Sequence, residues 1–457
     1  MKKHGALLLL ASMFLGSLAW GQADQPTQTF KAGLNLGTEV LMTGSGSTPE
    51  SWTIMGFQPD LAFGKFGVGV NLTFHFQIYP DPVRYNNEPF VLWTGDWVPT
   101  NTSPTFTDWL ALYIPKLMYV RYGLKGTDPL FVKVGSIPDF TLGNGFVMGN
   151  FSNMSNFPQT RISGVDFGLD GTMFDFPYLG MELVVDNLAR FDVVGIHLLG
   201  RPLVFMDNPI LKGLSVGTSV VTDLNPGLYG TTKPASVTVM GVDALMPLFS
   251  SPVASLAGFL EGSIEPKSRT GFMIGAGGKL LGIFSYGTQL RILSPGFIPT
   301  YFDASYDLNR EAKATIVSSA ALASEKAVLG WLASIGTNLL GDKLVANVTL
   351  DGPFSGDPTA TAQAAWPHLR GVARLADGLL PGVFADATYE KYYIGKVKGF
   401  FPDLIDPTDA IAGMNINYTT GGTVLTLMYN AKWVDANGIP EKTDWKVSSS
   451  IQAAIKF

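Results

Sequence analysis

The chain has 457 residues, with 31 basic and 37 acidic side chains, four histidines and no cysteine. A net charge of -6 argues against a nucleic-acid partner, which needs an excess of Lys and Arg. The absence of cysteine excludes a small disulfide-stapled fold and any CxxC metal site.

In chain order, the first element is Met1-Lys2-Lys3-His4, followed by an apolar run from Gly5 to Trp20 and an Ala19-x-Gly21 ending. This pattern reads as a secretory signal peptide over residues 1–21, with Ala23 as a second possible cleavage point. Loss of Lys2 and Lys3 leaves 29 of the 31 basic residues against 37 acidic ones, a net charge near -8. Residues 22–29 are then a short periplasmic segment, too short for a plug domain, and 30–457 form a single domain.

Residues 66–78 decide what kind of domain. Phe66, Val68, Val70, Leu72, Phe74, Phe76 and Ile78 alternate with Gly67, Gly69, Asn71, Thr73, His75 and Gln77. On a helix these apolar residues would spread around the whole cylinder, so the period of two means a strand. Thirteen extended residues span about 43 Å, which at a tilt of about 45° covers the roughly 30 Å core of a bilayer. Two charge-poor stretches, 244–260 and 410–431, are interrupted by Pro247, Pro252, Asn415, Asn417 and the turn 419–422, so neither is a membrane helix. Only helices and closed barrels satisfy their backbone in lipid. The expected fold is therefore an all-β, closed antiparallel transmembrane barrel of about twenty strands, within a range of sixteen to twenty.

Twenty strands are expected: 30–40, 52–63, 66–78, 117–123, 130–135, 161–169, 180–186, 193–200, 214–223, 235–244, 254–265, 270–280, 283–292, 327–339, 344–351, 368–376, 383–393, 410–418, 424–433 and 445–457. Most short connections alternate with the long ones at 79–116, 136–160, 293–326 and 394–409. Short turns at one end and long loops at the other are the sidedness of an outer-membrane barrel. Links 201–213 and 245–253 are long for the turn end, and 187–192 is short for the loop end.

The last strand alternates Trp445, Val447, Ser449, Ile451, Ala453, Ile455 and Phe457 with Lys446, Ser448, Ser450, Gln452, Ala454 and Lys456. It resembles the closing strand of bacterial outer-membrane barrels, in which a terminal aromatic belongs to the insertion signal. The resemblance implies recognition of Phe457 by the barrel-assembly machinery. Tyr119-Val-Arg-Tyr-Gly followed by Val134-Gly-Ser-Ile-Pro-Asp-Phe-Thr-Leu-Gly-Asn-Gly-Phe looks like uncharacterised outer-membrane barrels of spirochaetes.

No catalytic motif emerges. His75, His197 and His368 lack HExxH or i, i+4 spacing, G-x-S-x-G is absent, and Gly275-Ala-Gly-Gly-Lys279 lacks the Ser or Thr of a phosphate loop. The chain reads as a non-enzyme without cofactor. The expected function is a porin-type channel in the bacterial outer membrane for passive diffusion of small solutes. A channel specific for hydrophobic compounds and a surface adhesin or structural barrel are the alternatives. The partners are membrane lipid and solute.

Pore-lining residues are expected on the wet phase of the strands: Glu182, Asp186, Glu261, Glu265, Arg291, Arg370, Arg374, Asp386 and Glu390. Acidic and basic members on separate arcs would set a transverse field. Alternatively, the hairpin around Leu380 pairs Arg374 with Asp386, Arg370 with Glu390 and His368 with Tyr392, so that the arginines build the wall. A lumen of this width needs narrowing. Residues 137–160, with Asp139, Phe140, Asn144, Phe146, Asn150 and Phe151, are the candidate constriction, with a cap over the mouth as the other reading. Trp93, Trp97 and Trp109 mark 79–115 as an interfacial or lid loop, or as a grip for an apolar ligand.

Overall fold

The computed structural model describes residues 29–42, 49–78, 87–155, 161–228, 233–319, 325–357, 359–396, 399–420, 423–433 and 445–456. The signal peptide, nearly all of the 22–29 segment and Phe457 lie outside them. The described chain forms one antiparallel sheet of 22 strands. The first seven are β1 (Thr29–Met42), β2 (Pro49–Phe63), β3 (Phe66–Val70), β4 (Leu72–Ile78), β5 (Phe90–Leu92), β6 (Leu117–Tyr122) and β7 (Leu130–Gly135). Next come β8 (Gly164–Asp170), β9 (Leu179–Val185), β10 (Val193–Gly200), β11 (Ser215–Asp223), β12 (Val237–Ser250), β13 (Ala254–Glu265), β14 (Arg269–Leu280) and β15 (Phe284–Leu293). The last are β16 (Val328–Leu339), β17 (Leu344–Pro353), β18 (His368–Leu380), β19 (Val383–Lys391), β20 (Ala410–Thr420), β21 (Thr423–Trp433) and β22 (Trp445–Lys456). Among the described residues no helix is long and apolar enough to cross a membrane.

The count of 22 exceeds the expected twenty for two local reasons. Residues 66–78 do not stay one strand, because the register against β6 shifts between Gly69 and Val70 and the Asn71 N–H leaves the ladder for the Lys116 carbonyl at 2.7 Å. Beyond that point the edge of β4 is taken by the three-residue β5, which forms inside the expected loop 79–116. From β6 onward each strand pairs with the next. β22 pairs back onto β1 from Gly33↔Lys456 to Glu39↔Ser450.

The expected long link 245–253 shrinks to three residues, because β12 continues to Ser250 through an irregularity at Pro247 that hides its alternation. The hairpin β18–β19 adopts the expected register, with Arg370↔Glu390 and Arg374↔Asp386. His368 stacks on Tyr392 at 4.5 Å between ring centroids. The register shifts only between Leu375 and Leu380, near the turn.

The two faces of the sheet differ sharply. One is apolar and bare: Ile292 is 59% exposed and Leu290 54%, while their neighbour Arg291, on the opposite face, is 5% exposed. The main core sits on the charged face. There Val184, Val221, Val237 and Val239 of the strands pack with Ile137, Leu142, Val147 and Phe151, and with Tyr301, Phe302, Tyr306 and Val317. Two connecting segments therefore cover part of that face.

Candidate functional site

The first covering segment, 137–155, folds back on itself. Phe140 and Phe151 exchange backbone hydrogen bonds at 2.9 and 2.8 Å, and Leu142 N–H donates to the Met148 carbonyl at 3.0 Å. The tip turns through Gly143 (φ +55°) and Gly145 (φ +85°), a left-handed backbone that glycine adopts without a Cβ clash. Asn144 Nδ2 donates to the carbonyls of Ala244 and Leu260 at 3.1 and 2.9 Å. The Glu261 carboxylate accepts from the backbone N–H groups of Asn144, Phe146 and Val147 at 3.2 to 3.3 Å. Successive amides around one carboxylate make an anion nest with the usual roles reversed, the anion belonging to the sheet. These contacts lie in the middle of β12 and β13, so the segment reaches halfway along the strands.

The second segment runs beside the first and ends in the helix α1 (Tyr306–Ser318). Thr300 N–H donates to the Phe146 carbonyl at 2.8 Å, and Ile298 N–H to Glu265 at 3.1 Å. Arg269 donates from Nη1 to the Ile316 carbonyl at 2.9 Å and from Nη2 to the Ser319 carbonyl at 2.6 Å. A cation there complements the negative end of the helix dipole. Tyr306, Arg310, Lys313, Ala314 and Val317 are buried. This helix was not anticipated. Its signal was the spacing of those residues, three or four apart, within a stretch read as loop.

A third network joins the strands to the second segment. Arg291 Nη1 donates to Asp351 at 3.0 Å, and Asp351 meets His368 Nδ1 at 2.9 Å. His368 Nε2 meets Glu390 at 3.1 Å, and the Tyr392 hydroxyl donates to Glu390 at 2.9 Å. Tyr392 and Ser305 share a hydrogen bond at 2.6 Å. Lys313 reaches Asp303 at 2.5 Å.

The anticipated residues thus take several places. Glu261, Glu265 and Arg291 are buried beneath the covering segments or tied to neighbouring strands. Asp186 is buried next to Asp307, and its carboxyl is pushed well above the usual range by burial and by that second carboxylate. Glu182 keeps a half-exposed side chain 3.4 Å from His197, whose other nitrogen meets Asp243 at 2.9 Å. The hairpin arginines share the register of Glu390 and Asp386, yet Glu390 bonds to His368 and Tyr392, and Asp386 accepts from Asn415 at 2.8 Å. Phe140, Asn144, Phe146 and Phe151 are buried. Asp139 accepts from Asn150 Nδ2 at 3.3 Å. Burial pushes its carboxyl up to about 6, against that hydrogen bond and the charges of Arg370 and Lys125.

Along β17 to β20 the charged face is not covered. Asn347, Thr349, Arg370, Arg374, Asp386, Asn415 and Asn417 are half-buried, and Thr388 is exposed. The sheet therefore presents a polar lane there. Arg121, Lys125 and Lys133 belong to the same face, and sequence reading missed them. In the loop, Trp93 packs edge-on against Trp52 at 5.4 Å, Trp97 against Phe74 at 5.0 Å, and Trp109 stacks on Tyr113 at 6.0 Å.

No family model matches the chain, and no curated protein matches it. Among solved structures, it aligns with OccAB4 of Acinetobacter baumannii at 9% identity and a TM-score of 0.32, over 95% of this chain and 100% of that one. OpdL of Pseudomonas aeruginosa aligns at 8% and 0.33, over 95% and 99%. OccK2 (OpdF) of the same organism, solved with glucuronate, aligns at 10% and 0.32, over 96% and 99%. Likeness at this level leaves function to be read from the chain's own residues.

Proposed function

We propose that the chain is a closed β-barrel of the bacterial outer membrane and a porin-type channel for passive diffusion of small solutes. One observation carries the reading: the sheet leaves its apolar face bare and builds its core on the charged face. Val242, Ile335 and Ile451 are 63%, 62% and 59% exposed. A soluble monomer rarely shows a contiguous apolar surface of that extent. Lipid covers it at no cost, while the charged face encloses water. The ladder from β22 to β1 supports closure, which removes the edge strands that lipid cannot satisfy. A twelve-residue strand such as β13 is about 40 Å long, enough to span a bilayer when tilted. No cofactor is required.

On this reading, segments 137–155 and 294–318 constrict the lumen, and solutes pass along the polar lane. A cavity of about 100 Å³ lies beneath the aromatic loop, lined by Ile114, Arg161 and Arg190 among others. That is below the roughly 300–1,000 Å³ of typical small-molecule sites, which disfavours a capture site for large hydrophobic compounds. The structural-barrel reading draws on the covering segments, which would plug the lumen if they filled it. Two measurements test the proposal. Heat-modifiable gel migration and detergent-dependent extraction are expected of a barrel. Conductance steps in a planar bilayer are expected of a channel, and a folded barrel without them is a plugged one.

A further inference from the structure

Arg121 on β6 stands directly opposite Lys133 on β7, on the charged face of the sheet. Like charges directly opposed across two strands destabilise a sheet, so this pairing calls for a compensating group. Lys133 is in turn the cross-strand partner of Asp166 on β8. Asp166 bonds Lys125 through Oδ2, with Nζ 2.8 Å away, and its buried Oδ1 makes no hydrogen bond to either cation. The other acid nearby, Asp60, accepts from the Tyr119 hydroxyl at 2.6 Å. Among the described residues, neither the Arg121 nor the Lys133 side chain forms a hydrogen bond or an ion pair, and Arg121 Nε is buried without a partner.

The strand beside them is shaped for this arrangement. A Cβ on Gly69 would stand 2.8 Å from the Tyr119 ring. One on Gly67 would stand 3.1 Å from that ring and 3.7 Å from Arg121 Nε. The two glycines leave room against the wall for the Tyr119 ring and for Arg121. Across the charged face, Asp139 feels both Lys125 and Arg370, and Arg370 likewise forms no ion pair among the described residues.

We propose that Arg121 and Lys133 form an anion-binding station for a small organic oxyanion, its carboxylate or phosphate bridging the two strands. Neighbouring strands are about 4.8 Å apart, a gap that one oxyanion spans with an oxygen toward each cation. The bound anion replaces like-charge opposition with two charge-assisted hydrogen bonds. The station rests on the lumen reading only in requiring that solute reach the charged face.

The test is equilibrium binding by calorimetry to the folded full-length protein in detergent, with citrate and glycerol 3-phosphate as separate probes. Arg121→Gln and Lys133→Gln should each weaken binding at least tenfold, while Lys326→Gln, on an exposed loop, should not. Because each substitution removes a like-charge opposition, neither should lower the heat-modification temperature of the anion-free protein. This separates lost binding from failed folding. Binding of citrate alone assigns a carboxylate, and binding of glycerol 3-phosphate alone a phosphate. No binding to the unsubstituted protein, or binding by either variant as tight as that of the unsubstituted protein, overturns the station. Binding without channel conductance would retain the station and reject the channel; conductance without binding would do the reverse.

Discussion

Arg310 of α1 grips both carboxylate oxygens of Asp223 on β11, Nε donating to Oδ2 at 3.1 Å and Nη2 to Oδ1 at 2.7 Å. Both side chains are almost fully buried, and the Tyr306 hydroxyl donates to the same carboxylate at 2.6 Å. Asp307 lies beside them, its carboxyl pushed up to about 7 by burial and by the nearby carboxylates, against the pull of Arg310. Removing one partner of a buried pair typically costs about 3–5 kcal/mol, because the other charge stays buried. Arg310→Ala should therefore release α1 while the sheet survives. The expected signs are a larger single-channel conductance with heat-modifiable migration retained. Unchanged conductance in a folded barrel would mean that the helix does not obstruct the passage.

Glu261 fixes the tip of the first segment in the same way, by accepting three backbone N–H groups. Each buried donor left unmet costs about 1–3 kcal/mol. Glu261→Ala should loosen residues 143–147 and expose them to protease in detergent, with conductance raised or noisier. A protease-resistant tip would show that the contacts from Asn144 to Ala244 and Leu260 suffice.

Ala387 and Thr388 on β19 are adjacent and point to opposite faces, Thr388 sharing its face with Asp386 and Glu390. Ala387→Arg should impair insertion, since an arginine facing mid-membrane lipid costs about 2–4 kcal/mol. Thr388→Arg should insert normally and shift selectivity toward anions. The comparison is read from the fraction of heat-modifiable protein in the membrane, and reversed outcomes would invert the phase of the whole sheet.

Asp139 should make selectivity depend on pH. With its carboxyl near 6, it is neutral below that value and negative above it. As pH rises through about 6, its charge offsets part of Arg370 and Lys125, so the anion-to-cation permeability ratio should fall. The raised value also means that folding favours the protonated form. Its contribution to stability is therefore largest at low pH and is lost as pH rises through about 6. Reversal potentials in a salt gradient between pH 4.5 and 7.5 measure the step. Asp139→Asn should abolish it and hold the ratio at its low-pH level, whereas a step that persists would have another source.

Much of the sheet was legible in the sequence because its information is local. A period of two assigns a face to each residue without knowledge of the partner strand, and all twenty expected strands have counterparts. A two-sided hairpin carries its own register, so Arg374 was placed opposite Asp386 from sequence alone. One extra strand came from a break at Asn71, where a distant carbonyl at Lys116 competes for the N–H, and the other, β5, from pairing of loop residues with β4. Only the tertiary structure decided how the charged face is used. Asn144 meets Leu260 across 116 residues and Arg310 meets Asp223 across 87, contacts that no periodicity encodes. Contacts of this kind bury Glu261 and Glu265, which alternation assigned to an open wall, and leave Arg121, Lys133 and Arg370 half-buried. Alternation fixes which way a side chain points, but whether it meets water or protein there depends on where distant segments of the chain pack.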